Sequence, residues 1–89
     1  MIEYKILIKN RLGLHARAAV KFVNTANRFQ SSVRIRKNND ETDGKSILGI
    51  LTLAAVQGTE ILLIISGFDE KAALKELKAL IDGKFGEEE

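Results

Sequence analysis

The chain contains a single histidine, His15, in the run GLHARAA at residues 13 to 19, two positions ahead of Arg17. An imidazole and a guanidinium at that spacing suit phosphoryl chemistry. One supplies a nitrogen nucleophile, the other a planar fork of donors for phosphoryl oxygens. Their placement strengthens the reading. Apolar alternation runs up to about residue 9 and helical spacing begins at residue 16, so His15 falls at or just before a helix N-cap. First-turn N–H groups there have no partner inside the helix, and the helix dipole favours negative charge. The Ala16 and Arg17 amides and the Arg17 side chain would together receive an anionic group acquired by His15. The alternative is an ordinary histidine beside an ordinary first-turn arginine, and a motif this short recurs too often by chance to separate the two. Metal ligation and triad chemistry would need a second histidine or a cysteine, and the chain has neither.

A second candidate, GKS at residues 44 to 46, resembles the end of a phosphate-binding P-loop. That pattern requires a glycine where the chain has Asn39, and Asp40, Glu41 and Asp43 lie where phosphates would approach. Ser46 is instead read as the N-cap of a helix. A phosphate on its hydroxyl would meet the same helix dipole, which leaves a regulatory role open.

The elements that must position these groups follow from hydrophobic period. Residues 2 to 9 put Ile2, Tyr4, Ile6 and Ile8 on one face, as a half-buried strand does. Residues 16 to 28 carry Ala19, Phe22, Val23 and Ala26 at helical spacing, with Phe29 closing the helix. SSVRIRK reads as a strand with Val33 and Ile35 inward, and NND at residues 38 to 40 turns it into a short return through Glu41 and Thr42. A short helix runs over 46–53. EILLIIS at residues 60 to 66 is apolar almost throughout and is expected at the centre of a sheet. Asp69 is expected to cap a last helix reaching about residue 83, with Ala73, Leu74, Leu77, Leu80 and Ile81 available to the core. The order βαββαβα predicts an α+β open-faced sandwich, a four-stranded antiparallel sheet with three helices packed on one face.

In the helix over 46–53, Ile50 and Leu53 share a stripe while Ile47, Leu48 and Leu51 fall to another side. These three are either buried outright or form a docking patch.

Composition bounds the function. Eighty-nine residues make one domain over 1–89, and 45% apolar against 29% charged residues allow it a core. Without cysteine, disulfides, thiolate metal sites and cysteine nucleophiles are excluded. Charges interleave with apolar residues in the first five positions, so no secretory or membrane-inserting segment is expected there, and a cytoplasmic location is the default. The formal net charge is +2. Three of the twelve acids are Glu87, Glu88 and Glu89, which leaves fourteen bases against nine acids over residues 1 to 86. That balance suits anionic partners and falls short of nucleic-acid binding. The glutamate run itself reads as a solvated end.

Taken in order, NRLGLHARAAVKFVNTA, GKSILGILTL and QGTEILLIISG followed by an amphipathic helix resemble the histidine-containing phosphocarrier (HPr) family of the bacterial phosphotransferase system, over essentially the whole chain. The resemblance implies that His15 takes a phosphoryl group from phosphorylated enzyme I, itself charged by phosphoenolpyruvate, and passes it to a IIA component of sugar transport. No cofactor is implied, and the action is that of a carrier with a phosphohistidine intermediate. Arg17 matches the arginine that helps hold the phosphoryl group, and Ser46 matches the serine that an HPr kinase/phosphorylase modifies in some lineages. Ile47, Leu48 and Leu51, with Val20 beside them, match the partner-docking surface. A transcription regulator is a further partner of that kind, and a monomer is expected. The family motif has proline where this chain has Ala18, which loses a fixed φ near the helix start and restores an N–H. Two alternatives remain: a carrier of the nitrogen-regulatory branch, and a non-transferring regulatory module that binds through Ile47, Leu48 and Leu51.

Overall fold

The computed structural model describes residues 1–89. Strand β1 (Ile2–Leu7), helix α1 (Ala16–Ala26), β2 (Ser32–Lys37), β3 (Asp40–Asp43), α2 (Ile47–Leu53), β4 (Glu60–Ser66) and α3 (Glu70–Asp82) follow in the expected order, and a 3-10 turn over Lys84–Gly86 is added after α3. The sheet order is β1-β4-β2-β3, antiparallel throughout. β4 is central, as its apolar run predicts. Ile61, Leu63 and Ile65 point into the core while Leu62 and Ile64 are half-buried on the far side.

One face of the sheet carries the helices. Ile6, Val33, Ile35, Ile61, Leu63 and Ile65 from the strands meet Ala19, Phe22, Val23 and Ala26 of α1, Ile50 and Leu53 of α2, and Ala73, Leu77 and Ile81 of α3 in a single buried cluster. The stripes read from helical spacing are the faces that α1 and α3 bury, which is where tertiary packing supplies most helical stability. Glu3, Lys5, Arg34 and Arg36 line the exposed face.

Three details depart from the sequence reading. Helix α1 ends at Ala26 rather than 28, because the chain tightens there: Arg28 N–H donates to Thr25 O and Phe29 N–H to Ala26 O. Asp69 sits at the N-cap of α3, yet its carboxylate makes no capping bond. It accepts instead from the Gln30 and Ser31 amides and the Ser31 hydroxyl, tying the start of α3 to the approach to β2. The third departure is at the C-terminal end. Phe85 is fully buried in the core, held in a left-handed conformation at φ +57°, and the glutamates beyond it turn back over the molecule.

Candidate functional site

His15 is the N-cap of α1, in extended conformation at φ −78° and ψ 179°. The first helical hydrogen bond runs from Ala19 N–H to the His15 carbonyl. The amides of Ala16, Arg17 and Ala18 therefore have no acceptor inside the helix, the anion-receiving arrangement expected at this end. The imidazole makes no capping bond. Its side chain is 26% exposed.

The loop that delivers His15 is tightly constrained. Gly13 takes φ +66°, and a Cβ there would lie 2.5 Å from the Ala55 carbonyl oxygen and 2.9 Å from Val56 Cα. Only glycine meets both demands, the left-handed backbone and the close approach. Leu14 is buried and its N–H donates to Ala55 O at 2.9 Å, so the residues on either side of the turn are pinned to the chain after α2. Asn10, fully buried, closes the turn from the other side, its Nδ2 donating to Gly13 O at 2.7 Å.

An open groove at this end of α1 is lined by Arg11, Leu12, His15, Ala16, Arg17 and the three glutamates 87 to 89. Arg17 is exposed and makes no ion pair of its own. Glu88 is exposed, but Glu87 and Glu89 are not simply a solvated end. Glu89 pairs with Arg11 at 2.7 Å and accepts the Arg11 N–H through its carbonyl at 2.8 Å. Glu87, with its side chain only 14% exposed, accepts from Asn10 Nδ2 at 3.0 Å through Oε1 and is bonded through Oε2 to His15 Nε2. Burial pushes the Glu87 carboxyl up, but the bonds from Asn10 and His15 and the charges of His15 and Arg17 outweigh it and hold the group below the ordinary glutamate range.

Sequence reasoning thus brought His15, Ala16 and Arg17 together, and the structure adds Asn10, Arg11, Glu87 and Glu89. For Arg11 and the two glutamates one signal was available: three acids at one end of a chain otherwise +5, with two arginines flanking the histidine; nothing marked Asn10. Patterning could not reveal the anchor that folds them back. Phe85 fills the core, and Lys21 Nζ donates to its carbonyl at 2.6 Å, two residues ahead of Glu87.

Ser46 lies elsewhere, in a groove with Asp40, Glu41 and Thr42. It is the N-cap of α2, its Oγ accepting from Gly49 N–H at 3.0 Å. Beside it Ile47 is 40% and Leu48 75% exposed, with Val20 of the neighbouring α1 at 40%. Leu51 is half-buried against the core. Of the four expected docking residues, Val20, Ile47 and Leu48 are therefore exposed and Leu51 packs against the core.

Comparison with known proteins gives a consistent picture. The family model for the phosphorylation site of the HPr component of the phosphotransferase system matches residues 2–83. The chain is 49% identical over 89 residues to the phosphocarrier protein HPr of Neisseria meningitidis, covering all of both chains. Among solved structures, an HPr from Thermoanaerobacter tengcongensis superposes with a TM-score of 0.96 at 47% identity, covering all of both chains. The catabolite-repression protein Crh of Bacillus subtilis, described as a swapped dimer, is similar at a TM-score of 0.76 and 40% identity over 94% of this chain and 97% of that one.

Proposed function

The chain belongs to the HPr family of the phosphotransferase system, and on that premise we propose that it is a phosphocarrier in which His15 accepts a phosphoryl group from phosphorylated enzyme I and donates it to a IIA component. One observation carries this reading: a single imidazole at the start of α1 shares an open groove with the first-turn residues Ala16 and Arg17 and with Arg11, and the chain-end glutamates 87 to 89 on its other side would have to give way to an incoming phosphoryl group.

The chemistry is a displacement at phosphorus. A lone pair on a His15 ring nitrogen forms the new N–P bond as the donor's P–N bond breaks and its electron pair returns to the donor imidazole. Such transfer has little covalent chemistry for the protein to perform, so the work is in-line positioning and charge stabilisation. The amides of Ala16 and Arg17 and the Arg17 guanidinium receive the phosphoryl oxygens. The exposed Val20, Ile47 and Leu48, with the half-buried Leu51, supply an apolar contact that sets the register of a transient complex with either partner. Proteins that meet enzyme I and IIA work in the cytoplasm, and no helix of this structure is long and apolar enough to cross a membrane.

Regulation through Ser46 fits the same surface. A phosphate there would stand beside Ile47 and Leu48 and close to Asp40 and Glu41, adding charge to the apolar contact. The exposure of Val20, Ile47 and Leu48 would equally serve a non-transferring regulatory module, the second reading, and the similarity to Crh, a protein of catabolite repression, supports it.

Intact-mass spectrometry after incubation with phosphoenolpyruvate and a bacterial enzyme I tests the acceptor. The reading predicts one acid-labile phosphoryl adduct, absent in His15→Ala. A folded protein that several active enzyme I sources leave unmodified would instead favour the regulatory module.

A further inference from the structure

We propose that the outer face of α3, with the turn that leads into it, binds an anionic lipid surface: Lys71, Lys75 and Lys78 supply the charge, and Phe68 and Met1 supply an apolar edge that settles among the headgroups. The inference is independent of the phosphocarrier reading, since none of these residues takes part in it.

The lysines are spaced four and three residues apart, so they share one stripe of the helix, on the side away from buried Ala73, Leu77 and Ile81. All three are exposed and none forms an ion pair. The acids of the helix are each engaged elsewhere. Glu70 pairs with the Met1 ammonium at 3.3 Å, Glu76 with Arg28 at 3.4 Å, and Asp82 with Lys9. Lys71 and Lys75, one turn apart, repel each other, so the row costs the helix stability and calls for a use outside the fold.

An apolar edge stands at the start of that row. Phe68 is 84% exposed, more than any other large apolar side chain of the molecule, and Met1 is 75% exposed. Glu70 holds the two together. Its carboxylate accepts from the Met1 ammonium and from the Gly67 amide, so the start of the chain lies against the turn that carries Phe68. The turn is itself fixed, by the Glu70 N–H donating to Gly67 O and by Asp69 accepting from the Gln30 and Ser31 amides.

Shape and chemistry both fit a lipid plane. The surface is the outside of a helix, and the grooves of the molecule lie elsewhere, so a rigid partner finds no pocket to fill. Its cations are lysines, point charges on flexible stems that follow a mobile layer of headgroups, whereas fixed carboxylates are better met by arginine forks. An aromatic side chain beside a cationic strip is the combination that interfacial segments use. Because α3 keeps its apolar stripe in the core, the contact is shallow and reversible. It also leaves the phosphoryl site free. Asp69 is bonded to residues that follow the C-terminal end of α1, so Phe68 stands at the end of α1 opposite His15.

Vesicle flotation tests this in the full chain. Vesicles of phosphatidylglycerol and phosphatidylcholine in equal parts are expected to carry the protein at low salt, vesicles of phosphatidylcholine alone are not, and added salt is expected to release it. Each lysine near an anionic surface contributes roughly fivefold to binding, so Lys71→Gln, Lys75→Gln and Lys78→Gln combined should weaken it on the order of a hundredfold. Phe68→Ser should weaken it about tenfold. All four positions are exposed, so the Tm of these variants should stay near that of the parent. The chain has no tryptophan, and Phe68→Trp therefore supplies a single reporter whose emission should move to the blue on the anionic vesicles alone. Absence of flotation at low salt would overturn the proposal. Flotation that the lysine and Phe68 substitutions leave unchanged would also overturn it, by placing the contact on another basic face such as that of Arg11 and Arg17. Binding of soluble poly-glutamate through the same lysines, without binding to vesicles, would make the partner an acidic protein and sink the lipid assignment. Tryptophan emission unmoved on bound vesicles would remove the apolar edge and the proposal with it.

Discussion

Gly13 and Ser46 each fix one chemical group by a local demand on the backbone. At Gly13 that demand is steric, since a methyl group would meet the Ala55 carbonyl at 2.5 Å in a left-handed conformation. Gly13→Ala should therefore cost roughly 1–3 kcal/mol by urea denaturation and slow phosphorylation of His15, because the loop can relieve the clash only by moving the residue it delivers. At Ser46 the demand is for an acceptor, and aspartate meets it as well as serine does. Ser46→Asp is accordingly expected to leave the Tm nearly unchanged while raising the KM for enzyme I several-fold, through charge placed beside Ile47 and Leu48. A fall in Tm with an unchanged KM would remove Ser46 from the docking surface. Ser46 was legible before the fold was known, from the polar-to-apolar junction it occupies, whereas the demand at Gly13 was not, since it comes from Ala55 and Val56, far along the chain.

Helix α1 and the C-terminal turn act at the scale of elements, and they differ in how much of themselves the sequence displays. The α1 stripe of Ala19, Phe22, Val23 and Ala26 announces the helix, its buried face and, by its start, the N-cap position of His15. Ala18 falls in the first turn, where the N–H is unused by the helix, so the proline of the family motif removes no helical bond. Ala18→Pro is expected to fold and, by restricting the unfolded chain, to gain about 0.4–1 kcal/mol, read as a Tm higher by a few degrees. The turn after α3 displays almost nothing. Phe85 lies between Lys84 and Gly86 with no period to mark it as core, and its left-handed backbone is unusual for a side chain that size. Burial of one aromatic ring overrides that preference. Phe85→Ala should cost about 3–5 kcal/mol by urea denaturation and release the glutamates from the groove beside His15.

Across the whole molecule, carboxylates held by hydrogen bonds tie stability to pH. The Ser31 hydroxyl, with the Gln30 amide, draws Asp69 below the ordinary aspartate range, and Arg34 and Arg36 do the same for Glu41. Glu87 is also lowered, against its burial. A carboxyl whose folded value lies below its unfolded one stabilises the fold fully above the unfolded value and loses that contribution as pH falls through the folded one. Urea midpoints should thus be flat from about pH 8 to pH 5 and drop below about pH 4. Asp69→Asn should lower the neutral-pH midpoint and flatten the acid limb, and an unaltered acid limb would count against the Asp69 contacts. The sandwich was readable at this scale because strand alternation and helical stripes agree with one another along the chain. The path of residues 83 to 89 was not, since it depends on contacts with residues about 70 positions away in sequence.

The central claim is that His15 passes on what it receives, and a chase experiment tests it most directly. The protein would be loaded with labelled phosphoryl groups by enzyme I, separated from the enzyme and mixed with a IIA component. The account predicts that label leaves His15 and appears on IIA within the mixing time of a transient encounter, and that His15→Ala acquires none in the loading step. Label that stays on His15 in the presence of several active IIA proteins would contradict the carrier and make the phosphohistidine an end state.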